Sequence, residues 1–213
     1  MTQRIKTDLL FQKFNERKTI LFIGGIHGNE RSGYLALKKF NFLPYLNITI
    51  INIPQVNSYG IQNMTRRDAN GVDMNRCYGL KNFNRIHRES KRKIRFIERQ
   101  ILKADYVIDF HEAKSGFRSQ GNLRSIGNTI ITQNNSRQGN YIVSKLNENI
   151  PENKKFMVYR GKRSIRYSLR HFCNRNRIKY CLVEVSKSQQ IAERESICKQ
   201  IISHALEWVK TQP

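Results

Sequence analysis

The first residues that could do chemistry are a histidine and a glutamate in the segment GGIHGNE. His27 and Glu30 are three positions apart in a glycine-rich turn that directly follows an apolar run. An imidazole and a carboxylate at this spacing can close on one metal ion, and the glycines let the backbone turn sharply beneath the site. The pair alone is weak evidence, because a surface histidine beside a glutamate at a helix start gives the same pattern.

The segment DYVIDFHEA supplies a third candidate ligand. His111 follows an apolar run, and Asp109, two positions earlier, is expected on the same face because side chains alternate along a strand. Two histidines and one glutamate form the ligand set of a catalytic zinc site, and a nearby carboxylate commonly orients a ligating imidazole. The remaining histidines lie in basic helical segments and are interpreted as structural or surface residues: His87, His171 and His204.

The elements that must position these residues are predicted from apolar periodicity. Short apolar runs at 19–24, 48–53, 106–110 and 180–185 predict at least four strands, and helical spacing predicts helices at 30–40, 89–103, 140–149, 164–177 and 190–210. The alternation predicts a single α/β domain over residues 1–213, with a mixed, mostly parallel sheet flanked by helices. Two long polar segments, 54–83 and 112–138, are predicted to be functional loops.

Composition narrows the class of protein and its partners. The 213 residues are 38% hydrophobic, which excludes wholesale disorder, and no run is apolar enough to span a membrane. The first residues show no secretory signal, so we expect a soluble, cytoplasmic protein. Lysine and arginine number 39 against 16 acidic residues, and this net charge of +23 favours acidic substrates or nucleic acid. A biased amino-acid composition would give the same excess.

Four segments taken in order carry a family resemblance. GGIHGNERSG, TRRDANGVDMNRCYG, VIDFHEA and CLVEVS together resemble the zinc carboxypeptidase superfamily, which includes aspartoacylase and succinylglutamate desuccinylase. The resemblance covers residues 20 to about 185. It implies a zinc-carboxypeptidase-like fold, a Zn²⁺ cofactor and amide hydrolysis.

The resemblance also assigns expected roles to residues. It implies that His27, Glu30 and His111 bind zinc, and that Glu184 is the base that takes a proton from the attacking water. Such a base can later deliver its proton to the leaving amine.

A second group of residues is expected to contact the substrate. The resemblance implies that Arg66 polarises the scissile carbonyl, with Arg67 as the fallback for this position. Asn75 and Arg76 match the pair that grips a substrate carboxylate, for which a guanidinium offers two parallel donors.

The branch of the superfamily stays open at this point. Digestive-type carboxypeptidases are longer and place a tyrosine near the substrate, for which Tyr159 and Tyr167 are unaligned candidates. The compact length favours the aspartoacylase branch, whereas RRDANGVDMNR is closer to the peptidases. Four arginines near the expected site suit a substrate with more than one carboxylate, although they could equally form a generic basic face: Arg118, Arg160, Arg163 and Arg166.

Three hypotheses follow from the sequence. The first is a zinc metallocarboxypeptidase that releases an acidic residue from a carboxylate-bearing peptide. The second is an N-acyl-amino-acid deacylase of the aspartoacylase or desuccinylase kind, which shares the catalytic residues. The third is a basic nucleic-acid-binding protein without catalysis, favoured by the segment HRESKRKIRFIERQ but by no recognisable motif.

Overall fold

A six-stranded sheet forms the centre of the computed structural model, which describes residues 18–45, 47–120, 125–132, 137–161 and 164–212. The strand order is β2-β1-β3-β6-β4-β5, and β4 runs antiparallel to β6 while all other neighbours are parallel. The predicted α/β class with a mostly parallel sheet is therefore confirmed. The strands are β1 (Thr19–Ile23), β2 (Thr49–Ile53), β3 (Tyr106–Ala113), β4 (Thr129–Thr132), β5 (Met157–Arg160) and β6 (Lys179–Ser186).

Helices cover both faces of the sheet because buried strands alternate their side chains between two cores. Ile20 and Phe22 pack on the face covered by the first, fourth and sixth helices, whereas Leu21 and Ile23 pack on the face covered by the third and fifth. The helices are α1 (Ser32–Lys39), α2 (Ser58–Asn63), α3 (Arg88–Ile101), α4 (Arg137–Leu146), α5 (Leu169–Arg175) and α6 (Ile191–Lys210). Within the described ranges, no helix combines the length and apolar character that crossing a bilayer requires.

Several boundaries differ from those predicted. The predicted loop 112–138 contains the buried strand β4, and the edge strand β5 was not predicted; each has only four residues, too few for a clear alternation. The predicted helix 164–177 is shortened to α5, because Tyr167 has a positive φ of 62° and Ser168 caps the helix by accepting from the His171 amide. Strand β3 extends beyond residue 110, since its pairing with β6 continues to the end of both strands.

The segment after β1 reaches the site because glycines permit close backbone contacts. Gly25 has a φ of 63°, a left-handed conformation that favours glycine. A Cβ atom on Gly28 would lie 1.8 Å from the carbonyl carbon of Gly60, so the turn after β1 rests directly on α2. This turn thus approaches the carboxyl ends of β3 and β6, where ligands bind in open α/β sheets.

Candidate active site

Three buried side chains from two segments converge on one point. The two carboxylate oxygens of Glu30 lie 3.0 Å from His27 Nδ1 and 2.7 Å from His111 Nδ1. One ligand-type atom from each of the three residues lies within 4.8 Å of the others. The turn after β1 supplies the first two residues, and β3 supplies the histidine.

The second nitrogen of each histidine faces a different carboxylate. His111 Nε2 lies 3.1 Å from Asp109 Oδ2, and His27 Nε2 lies 3.3 Å from Asp73 Oδ1. These contacts leave both Nδ1 atoms directed at Glu30. An imidazole that donates to a carboxylate through one nitrogen and offers the other to a metal is the usual arrangement in metalloproteins.

The donor set fits a divalent metal ion. Two imidazole nitrogens and a carboxylate oxygen are ligands that zinc takes in catalytic sites, and here one such atom from each residue lies within 4.8 Å of the others. Burial raises the pKa of Glu30, but the adjacent His111 and His27 outweigh it and hold this pKa well below its ordinary value. The Glu30 carboxylate is therefore ionised at neutral pH.

Arg66 lies beside this cluster and is fixed by Asp73. The Arg66 Nε atom donates to Asp73 Oδ2 at 3.0 Å, and its Nη1 atom lies 3.6 Å from Glu30 Oε1. Burial raises the Asp73 pKa, but the hydrogen bond from His27 and the charge of Arg66 hold it well below the ordinary value. The sequence analysis gave Asp73 no role. The position of this carboxylate between the candidate residues Arg66 and Asn75 was the sequence feature that indicated one.

Glu184 lies next to the candidate metal ligands on the neighbouring strand. It pairs in register with His111, so both side chains point to the same face of the sheet. Glu184 is only 8% exposed, and no described residue gives its carboxylate a hydrogen bond. Burial, only partly offset by the charges of His111 and Arg66, raises the pKa of Glu184 to about 8.

Of the remaining residues predicted to contact substrate, Asn75 and Arg76 line the cavity beside the cluster, whereas Arg67 does not. Asn75 accepts from the Leu169 amide through Oδ1 at 2.8 Å, which leaves its amide nitrogen as a donor, and both Asn75 and Arg76 line the same cavity as Glu184. Arg67 instead donates to the Gly71 carbonyl at 2.7 Å and is not among the residues lining this cavity.

Glu112 holds the turn after β1 in place through contacts with several elements. Its backbone amide donates to Glu30 Oε2 at 3.3 Å, and its side chain accepts from the Ser32 amide at 2.8 Å. Arg194 pairs with the same carboxylate, and Lys187 donates to the Asn29 carbonyl at 2.7 Å. These contacts fix the start of α1 and the turn that carries His27 and Glu30 against β3 and α6.

A cavity of about 750 Å³ opens above the cluster, and its wall includes an arginine that the sequence analysis did not identify. Arg170, the second residue of α5, lines it and is 9% exposed; its Nη2 atom donates to the Gly161 carbonyl at 2.6 Å. No sequence motif singled out this arginine, because its segment was predicted to be an ordinary helix.

The arginines and tyrosines proposed from sequence lie elsewhere. Arg118 stacks on Tyr159 and Arg166 stacks on Tyr167, with 4.5 Å and 4.8 Å between guanidinium and ring. None of these four, nor Arg160, lines the cavity, and Arg163 lies outside the described residues. Arg170 is therefore a better-placed candidate for a second substrate carboxylate than Arg118, Arg160 and Arg166.

Comparisons with known proteins show the family and the fold of this chain. Residues 16–124, just over half of the chain, match the family model of the succinylglutamate desuccinylase/aspartoacylase catalytic domain. Among solved structures, the mDAP-bound D,L-carboxypeptidase Csd4 of Helicobacter pylori superposes with a TM-score of 0.79 and 19% identity, covering 94% of this chain and 53% of that one. A succinylglutamate desuccinylase from a Silicibacter species has a TM-score of 0.65 and 15% identity, covering 91% and 57%.

The chain thus spans about half the length of these solved structures, and the likeness to them at such identities establishes the fold. A search of the curated proteins gives no match.

Proposed function

Since the chain belongs to the succinylglutamate desuccinylase/aspartoacylase catalytic-domain family, a family of hydrolytic enzymes, we propose that it is a zinc-dependent amide hydrolase of metallocarboxypeptidase type. Its proposed reaction releases an acidic residue from a carboxylate-bearing peptide. The observation that carries the proposal is the convergence of His27, Glu30 and His111 beside the buried Glu184 in one open cavity.

The chemistry divides between the metal and the chain's own residues. When bound by His27, Glu30 and His111, zinc would supply Lewis-acid polarisation of a carbonyl and lower the pKa of water towards neutrality. Glu184, which lines the cavity and lies in register with His111, is proposed to accept a proton from the attacking water and to return it to the leaving amine.

Arg66 is proposed to stabilise the negative charge that develops on the carbonyl oxygen. Its Nε atom donates to Asp73 and its Nη1 atom lies beside Glu30 and His27. This leaves Nη2 as the guanidinium nitrogen that can donate to a substrate in the cavity that Arg66 lines. A donor that is fixed before the reaction needs no reorganisation when the charge forms, which is the basis of electrostatic catalysis.

The cavity offers two places for substrate carboxylates. Asn75 and Arg76 lie near the catalytic cluster and are proposed to bind the carboxylate next to the scissile amide. The cavity wall continues along β6 from Glu184 through Leu182 to Tyr180, roughly 13 Å at the usual rise per strand residue. Burial of Arg170 in this cavity wall favours a second carboxylate, because a buried guanidinium gains from a bidentate anionic partner.

A deacylase acting on N-acyl amino acids is the second candidate, and the family match favours it. It would use the same catalytic residues, and its smaller substrate would engage either Arg76 or Arg170 with one carboxylate and leave the other in water. The two candidates therefore differ in the length of substrate that the cavity accepts.

The test combines metal analysis with a substrate panel. Wild type, His111→Ala and the surface control His204→Ala, which faces Glu207 on α6, are analysed for zinc. Each is then assayed on peptides ending in Glu or Asp, on matched peptides ending in Gln or Asn, and on N-acetylaspartate and N-succinylglutamate.

We expect about one zinc per chain in the wild type and the surface control, and none in His111→Ala. Preferential hydrolysis of the acidic peptides supports the carboxypeptidase, whereas turnover confined to the N-acyl amino acids supports the deacylase. A metal-free wild type without hydrolysis would refute both and leave nucleic-acid binding as the remaining hypothesis.

A further inference from the structure

A buried tyrosine on β6 contacts the carboxylate behind one candidate metal ligand. The Tyr180 hydroxyl donates to Asp109 Oδ2 at 2.7 Å, and the same oxygen lies 3.1 Å from His111 Nε2. Asp109 is fully buried and Tyr180 is 6% exposed. A continuous chain of hydrogen bonds therefore runs from β6 through β3 to the imidazole.

Asp109 has few hydrogen-bond donors, so the Tyr180 hydroxyl is important for the orientation of its carboxylate. Asp109 Oδ1 is buried and receives no hydrogen bond from the described part of the chain. Apart from His111, Tyr180 is thus the described residue that donates to this carboxylate. A buried carboxylate depends on its few donors, because no water replaces a contact that is lost.

We propose that Tyr180 is a positioning residue for the metal centre. Its hydroxyl fixes the rotation of the Asp109 carboxylate, and the fixed carboxylate holds the ring of His111 with Nδ1 directed at Glu30. The Tyr180 hydroxyl donates to Asp109, so it acts on His111 through that carboxylate. The inference rests on the proposed metal site and adds the residue that orients it from the neighbouring strand.

The variant Tyr180→Phe removes only the hydroxyl and keeps the ring that packs against the cavity wall. Tyr106→Phe is its matched control, since Tyr106 is buried as well and lies on the paired strand β3. This variant also loses one hydroxyl contact, that from Lys179 Nζ at 3.1 Å. Both variants delete a hydroxyl from the same sheet, but only the first deletes one next to Asp109.

Zinc affinity is measured by competition with a chromogenic chelator, and the absorption spectrum of the cobalt-substituted proteins reports ligand geometry. We expect Tyr180→Phe to weaken zinc binding about tenfold, within the range seen when the partner of a metal-bound histidine is removed, and to alter the cobalt spectrum. Tyr106→Phe should stay within about twofold of wild type with an unchanged spectrum.

A double-mutant cycle with Asp109→Asn identifies the route of the effect. If Tyr180 acts through Asp109, the additional loss on introducing Tyr180→Phe into Asp109→Asn should be less than about twofold. A full tenfold loss in that background would overturn the proposal, as would equal effects of the two tyrosine variants or no effect of Tyr180→Phe.

The binding assay separates this inference from the proposed function. A wild type that binds no zinc refutes the metal site and the inference together. A wild type that binds zinc, with unchanged affinity in Tyr180→Phe, refutes the inference alone. If Tyr180→Phe does not fold, Asp109→Asn is compared with wild type instead. Asp109→Asn must itself lose zinc affinity and change the cobalt spectrum if the chain of contacts is correct.

Discussion

Glu184 should give the metal-free protein a pH dependence whose sign follows from its burial. Burial raises the pKa of this carboxyl to about 8 in the folded protein, whereas in the unfolded chain it returns to its ordinary value near 4.5. The folded protein therefore holds the proton more tightly. The stabilisation that the protonated Glu184 gives to the folded protein is fully present below pH 4.5. It is lost as the pH rises to about 8, because the unfolded chain releases the proton first.

The size of the effect follows from the same two values. Each pKa unit corresponds to about 1.4 kcal/mol, so the free energy of unfolding should fall by roughly 5 kcal/mol between pH 4.5 and pH 8. The assay is urea unfolding of the chelator-treated wild type and of Glu184→Gln across this range. Glutamine keeps the size of the side chain and removes its titration, so the variant should lack this component.

The difference between the two proteins isolates Glu184. Glu30 and Asp73 have pKa values held well below the ordinary range, so their contributions are lost only at lower pH and are present in both proteins. Wild type and Glu184→Gln with parallel stability profiles between pH 4.5 and pH 8 would show that the carboxyl is not buried as the structure places it.

Three further predictions concern the substrate, the turn and the ligand environment. Arg170→Gln should raise KM for a substrate with two carboxylates about 10- to 100-fold while Arg166→Gln leaves it unchanged, which steady-state kinetics would measure; equal KM values would exclude Arg170 from binding. Gly28→Ala should destabilise the fold by about 2 kcal/mol or more, because the new Cβ would overlap Gly60, and an unchanged melting temperature would contradict this packing. Asp73→Asn should lower kcat/KM at least tenfold, since it removes a carboxylate shared by two site residues; wild-type kinetics would refute this.

The sequence predicted the four longer strands, including the edge strand β2, but not the two shortest ones, for a physical reason. The central strands are buried on both faces and read as apolar runs, so β1, β3 and β6 were found within a few residues. β4 and β5 are four-residue strands whose pairing depends on partners remote in sequence. Neither strand carries enough local pattern to be recognised.

The site residues carried by local sequence motifs were predicted, whereas a residue placed by tertiary packing was not. His27, Glu30, His111 and Glu184 were visible because motifs of fixed spacing carry them, and the structure brings these four together. Arg170 was not visible, because only the packing of α5 turns this one arginine of a basic segment into the cavity wall. The hypothesis of nucleic-acid binding stays a prediction: α3 buries Ile94, Ile97 and Ile101, which leaves its cations on the solvent side.

The separation of the candidate ligands along the chain has a consequence for the lifetime of the protein. Glu30 and His111 are 81 residues apart in sequence yet adjacent in space, so an ion between them acts as a cross-link that closes a long loop. Because the unfolded chain cannot hold the ion in this way, metal at a hundred times its dissociation constant would add about 2.7 kcal/mol of stability. Proteases that attack the opened chain would then remove the metal-starved protein first, and the amount of intact protein would follow the supply of metal.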